Sequence, residues 1–224
     1  MAVGVSIATL FLRGFKFKDL KAHFTDENIV IPAVDVWLVQ SQPYPEKMQA
    51  YKAGIIGSTH GQGLYVICED NQWYWVAGAY MTQAEADHAI EQEDILIGAT
   101  SKLYNIEEKN LKITPDAVTP ARQIFETVTS VVDLLFKLRS NIIENVQDNN
   151  LILELTNKYN LLKSSADKLQ ELNAAIKSDL ISSIIYTANV NILSLQDLVC
   201  GNNQIDLSVI NTVLLKAIFS VDNF

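Results

Sequence analysis

Two textures follow one another along this chain. From residue 34 to about 103, apolar and polar positions alternate in short runs broken by Gly, Pro and Asx residues; from residue 119 onward, apolar positions recur at three and four. Residues 34–40 (VDVWLVQ) alternate and are rich in β-formers, which predicts a strand. Tyr44-Pro45 then opens a helix, because proline is tolerated in a first turn, and the glycine-bearing loop 57–63 ends it. Residues 64–68 read as a second strand. Asp70-Asn71 is short enough to imply a hairpin with a strand over 72–79. Thr82 and Glu85 form a T-x-x-E capping box for the next helix, and residues 95–103 supply a fourth strand. The predicted class is therefore α+β, with a β-α-β-β-α-β order that is the split βαβ arrangement of ferredoxin-like sheets. Such a sheet is antiparallel in part and can leave one face open to solvent.

The second texture predicts an antiparallel helical bundle. Thr119-Pro120 makes a helix start, and Ile124, Val128, Val131, Leu135, Leu138, Ile142 and Val146 form a stripe that needs a partner. A polar break at 147–150 precedes Leu151, Leu155, Leu162, Leu169 and Leu172. Ser178-Asp179 either caps a third helix or lies within a continuation of the second, and Asp206 caps a last one. The stripes can pack on one another and on the helix side of the sheet, or present a docking surface; leucine and isoleucine at helical spacing fit both. These patterns divide the chain into a tether (13–33), a sheet domain (34–103), a linker around Pro115 (104–118) and the bundle (119–224). Residues 2–12 are uncharged and apolar apart from Ser6 and Thr9, and Arg13, Lys16, Lys18 and Lys21 follow. Eleven helical residues span roughly 16 Å, about half a bilayer core. We read them as part of a membrane anchor whose start is missing; a buried or swapped N-terminal helix is the alternative.

Composition narrows the function more than it names it. A hydrophobic fraction of 49% suffices for a packed core, and the formal net charge is −9. No dense Lys/Arg cluster occurs beyond the first two dozen residues, so nucleic acid is not an expected partner. Cys68 and Cys200 lie far apart without metal-ligand spacing and read as buried small hydrophobes. The loop 57–63 (GSTHGQG) lacks the G-K-[ST] ending of a phosphate loop. Glu85-x-x-His88 has the spacing of a di-metal helix but occurs once, where such sites need two copies. Ser58 and His60 are too close in sequence for a triad, and His23 lies in the tether. No nucleophile has a convincing base, so a binding module, without catalytic residues, metal or cofactor, is expected rather than an enzyme.

Two segments carry a resemblance. WLVQSQPYPEKMQA at 37–50 resembles the opening of SPOR domains, matching at Val39, Gln40, Tyr44 and Ala50; WYWVAGAYMTQAEA at 73–86 resembles their second half, matching at Gly78, Tyr80, Thr82 and Ala86. Gln42 and Pro43 stand where the first half's glycine and serine are usual. The resemblance implies a ferredoxin-like sheet that binds peptidoglycan glycan strands stripped of stem peptides, in a single-pass membrane protein of bacterial division or sporulation facing the cell wall. It also puts Gln40 on the open face. Alternation then places Leu38 beside Gln40, and Tyr74 and Val76 together on the third strand, with Trp73 and Trp75 in the core under the helices; a reversed register would exchange the last two pairs. Leu38, Gln40, Gln42, Tyr74 and Val76 are the expected glycan-binding residues, offering apolar platforms beside amides and a hydroxyl. The helical half is the expected contact for a division or sporulation protein. The alternative is an interaction scaffold that acts through its C-terminal helices and has lost glycan binding.

Overall fold

The computed structural model describes residues 28–31, 33–146, 148–200 and 205–222. The expected anchor at 2–12 and most of the tether lie outside these residues. Four strands form one antiparallel sheet: β2 (Val34–Gln40), β3 (Tyr65–Glu69), β4 (Gln72–Tyr80) and β5 (Thr100–Ile106), in the order β3-β4-β2-β5. Helix α1 (Lys47–Ser58) joins β2 to β3, and α2 (Gln83–Gln92) joins β4 to β5. Each helix therefore connects two strands separated by one other, so both crossovers are split. The β3–β4 loop is Asp70-Asn71, both at positive φ (49° and 62°), the geometry in which Asx residues match the twist of a two-residue hairpin. The capping box closes as read: Thr82 Oγ1 accepts from Glu85 N, and Glu85 Oε2 accepts from Thr82 N at 3.2 Å.

Four helices follow: α3 (Pro115–Ile143), α4 (Asn149–Ile176), α5 (Asp179–Cys200) and α6 (Leu207–Asp222). Helix α4 packs between α3 and α5, and α6 packs on both α3 and α5. Lys177 in the left-handed region (φ 56°) ends α4, so the second and third helices are separate. Asp206 caps α6, its Oδ1 accepting from Val209 N at 2.9 Å.

Several expectations shift. Helix α3 begins at Pro115 rather than Thr119, because Thr114-Pro115 is an earlier Thr-Pro step. Pro120 lies in the second turn, where its missing donor frees one carbonyl beside the exposed Asp116. The fourth strand starts at Thr100, after a tight turn at Asp94–Leu96 that buries Leu96. Where a tether and a linker were expected, β1 (Asn28–Ile31) pairs antiparallel with β6 (Lys109–Lys112), because Ile29 and Ile31 can bury against the bundle. Cys68 and Cys200 are exposed and free rather than buried; Cys68 lies on the edge strand β3 and Cys200 ends α5.

One hydrophobic core joins the two textures. It takes in Val36, Leu38, Val76 and Ala79 of the sheet, Ile29 and Ile31 of β1, and the apolar stripes of α3 to α6. A smaller core fills the other side, where Val39, Trp75, Ala77 and Ala86 pack with Ala53 under α1 and α2. Trp75 is buried there, as expected, and Trp73 is half-buried beneath Lys47 Nζ, 5.4 Å from its ring centre.

Candidate functional site

The register places Leu38, Gln40, Tyr74 and Val76 on one face, and Gln42 lies in the loop after β2. Leu38 pairs with Ala79 and Gln40 with Val76 across a bulge between Val39 and Gln40. That face is not open. Leu38, Gln40 and Val76 are 0%, 3% and 0% exposed. The trailing helices cover them, which corrects the expectation of an unshielded platform. The physical reason is the area rule: the α3 and α6 stripes need an apolar partner, and the free side of the sheet supplies one in Val36, Leu38, Val76 and Ala79.

Specific contacts hold the cover in place. From α6, Thr212 Oγ1 accepts from Leu64 N at 2.9 Å, and Asn211 Nδ2 donates to Gly61 O at 3.0 Å. Phe219 stacks on Tyr65 with ring centres 4.6 Å apart and tilts against Tyr104 at 4.9 Å. Tyr104 donates to Asp222 Oδ2 at 2.5 Å, and Lys109 Nζ donates to the carbonyl of Asp222 at 2.7 Å. From α3, the buried Arg139 donates to Ala79 O at 2.5 Å and lies 4.4 Å over the Tyr80 ring. Burial lowers the pKa of this guanidinium, opposed by Tyr80 and then Glu85. Burial first, then the hydrogen bond from Tyr104 to Asp222, raises the Tyr104 phenol well above its ordinary value.

Lys102 on β5 pairs with Glu69 on β3, linking the two edge strands.

Of the five expected residues, three lie together in the core and two remain outside. Gln42 is exposed. Tyr74 is half-buried, and its hydroxyl donates to Gln72 Oε1 at 3.2 Å. Gln40 Nε2 is buried and has no hydrogen-bond partner among the described residues. Glu85 is occupied by its capping role, and His88 is exposed. His60 Nδ1 lies 3.1 Å from Ile56 O. Among the described residues, no group of His, Cys, Asp and Glu could hold a metal ion. None of their helices is long and apolar enough to cross a membrane.

Sequence reasoning missed Arg139 as the anchor of α3 on the sheet. The signal was present: Arg139 stands four residues after Leu135 on an apolar stripe, where a cation must find buried acceptors. It also missed a cleft of about 310 Å³ beside the edge strand, lined by Tyr65, Tyr186, Val190, Leu193, Ser194 and Lys216. Tyr186 and Leu193 both project into solvent from α5 there.

Comparison of the chain with family models, curated proteins and solved structures finds no match.

Proposed function

We propose that this protein is a non-catalytic interaction scaffold: a SPOR-like, ferredoxin-type sheet whose ligand-type face is occupied by the chain's own C-terminal helices. The burial of Leu38, Gln40 and Val76 carries this reading. A glycan strand needs apolar platforms and amides within reach, and three of the five expected residues are interior here. The bundle in turn offers a partner surface on α5, where Tyr186 and Leu193, one i,i+7 pair, flank the cleft. The test is sedimentation of the full chain with amidase-treated sacculi. A scaffold stays in the supernatant, and pelleting with the sacculi overturns the reading.

A second reading keeps peptidoglycan binding by a membrane-anchored protein facing the wall. Gln40 Nε2, without a partner among the described residues, favours it, because a hydrophobic seam has no use for that group and a polar ligand does. On this reading the bundle must lift off the sheet before glycan binds. Pelleting that is lost in Gln40→Ala with Tyr74→Ala would establish it.

A further inference from the structure

We infer, resting on the scaffold reading, that the partner is an extended peptide segment, which adds to the sheet as a strand along β3 and sets a carboxylate beside Lys216. Strand β3 ends the sheet and has one ladder neighbour, β4. Hydrogen bonds on β4 fix which way the β3 amides point. Trp73 and Trp75 turn toward the β2 side, where their carbonyls accept from Tyr44 N at 2.7 Å and Ser41 N at 2.8 Å. Their opposite numbers on β3, Cys68 and Val66, therefore stand in non-hydrogen-bonded pairs and direct N–H and C=O outward. The period of two puts Leu64 in the same set, and its N–H donates away from β4, to Thr212 Oγ1 of α6. Helix α6 thus caps the edge at Leu64, and the outward groups of Val66 and Cys68 meet no other strand among the described residues. Native sheets guard such an edge with lysine, proline or a bulge. Residues 65–68 (YVIC) hold none of the three.

The cleft beside this edge selects what the added strand carries. It lies between Tyr65 of β3, Tyr186, Val190 and Leu193 of α5, and Lys216 of α6. Its volume of about 310 Å³ is at the lower limit for small-molecule pockets, and suits side chains delivered by a backbone held elsewhere. None of its lining residues is acidic, and Lys216 has no ion-pair partner among the described residues. Nearby carboxylates are engaged: Glu69 by Lys102, and Asp222 by Lys109 and Tyr104. Residues of an added strand opposite Val66 and Cys68 would exchange main-chain hydrogen bonds with them. Those opposite Tyr65 and Ile67 would share the bundle side of the sheet, where the cleft opens. The segment therefore reads apolar-x-acidic-x-apolar, its carboxylate opposite Tyr65. The exposed Asp197, one turn beyond Leu193, and the chain's net charge of −9 restrict it to a single carboxylate there. A second copy paired about Ile67 would bring its Glu69 opposite Tyr65, but Lys102 already holds that group.

A random dodecapeptide phage library panned on the full chain tests this, with the Cys68→Pro variant as counter-selection. Proline there removes an outward N–H and no ladder bond, and Cys68 is exposed, so the unfolding transition should stay in place. Peptides with an acidic residue flanked by apolar ones two positions away should enrich. Labelled and synthesised, they should bind the full chain in fluorescence anisotropy and weaken about tenfold or more on Cys68→Pro. Methylation of the backbone nitrogens on either side of the acidic residue should weaken them equally. Lys216→Glu should reverse the charge preference, so that the same peptide with lysine for its acidic residue binds better. No enrichment over Cys68→Pro overturns the proposal, as do binders indifferent to N-methylation or to Lys216→Glu. So does a concentration-dependent dimer, by sedimentation velocity, that Cys68→Pro abolishes. Sedimentation with sacculi reads the scaffold separately: pelleting overturns that reading whatever the peptides do, and failed panning of a chain that stays in the supernatant overturns the peptide site alone.

Discussion

Leu38→Ala separates a covered sheet from an open one by stability alone. Leu38 is fully buried and packs in the core that joins the sheet to the bundle. Truncation to alanine removes three carbons, which at about 0.8 kcal/mol each forfeits roughly 2.4 kcal/mol of transfer free energy. The helices above cannot collapse fully into the space, because Arg139 and the Tyr65–Phe219 stack fix them to the sheet. The residual cavity brings the expected loss to about 3–5 kcal/mol. A leucine on a solvent-facing platform would cost only about 0.5 kcal/mol. Urea or guanidinium unfolding of both proteins measures the difference as a shift in midpoint at an unchanged m-value. A loss below about 1 kcal/mol would refute the covered face and reopen the sheet to a ligand.

Two further outcomes follow from the packing. Gly57→Ala should destabilise by about 1–3 kcal/mol despite the better helix propensity of alanine, because the new methyl overlaps the Trp75 ring at 2.0 and 2.2 Å. In a Trp75→Phe background the same change should become neutral or favourable; equal penalties in both backgrounds, by thermal unfolding, would refute the contact. Asp133→Asn should stabilise the protein at pH 7. Burial raises the Asp133 pKa, only partly offset by Lys137, and its Oδ1 has no hydrogen-bond partner among the described residues. A raised carboxyl pKa means the folded state holds its proton more tightly, so the aspartate favours folding at low pH and this is lost as pH rises through the folded pKa. The gain from asparagine should therefore fade as pH falls toward the ordinary value of 3.8. A pH-independent difference in urea midpoint between pH 3 and 7 would contradict it.

Local chemistry made the elements legible in the sequence, and tertiary packing decided their use. Alternation in VDVWLVQ, the Asp70-Asn71 turn, the Thr82–Glu85 capping box and the Asp206 cap each act within a few residues, so each could be read without coordinates. The split crossovers follow from that order of elements, and alternation correctly grouped Leu38 with Gln40 and Tyr74 with Val76. What the alternation could not supply is the identity of the second layer. Period 2 tells which side chains share a face and says nothing of what lies over it. A stripe at helical spacing likewise shows that a helix needs a partner without naming one. The choice between helix on helix and helix on sheet rests on contacts between residues about a hundred or more positions apart, such as Leu64 with Thr212 and Tyr104 with Asp222. The sequence by itself determined a sheet with two distinct faces and a bundle of three or four amphipathic helices, the break at Lys177 being decided by the structure. Only the tertiary structure decided that one of those faces is the floor of the bundle, because burying it there removes more apolar surface from water than leaving it bare.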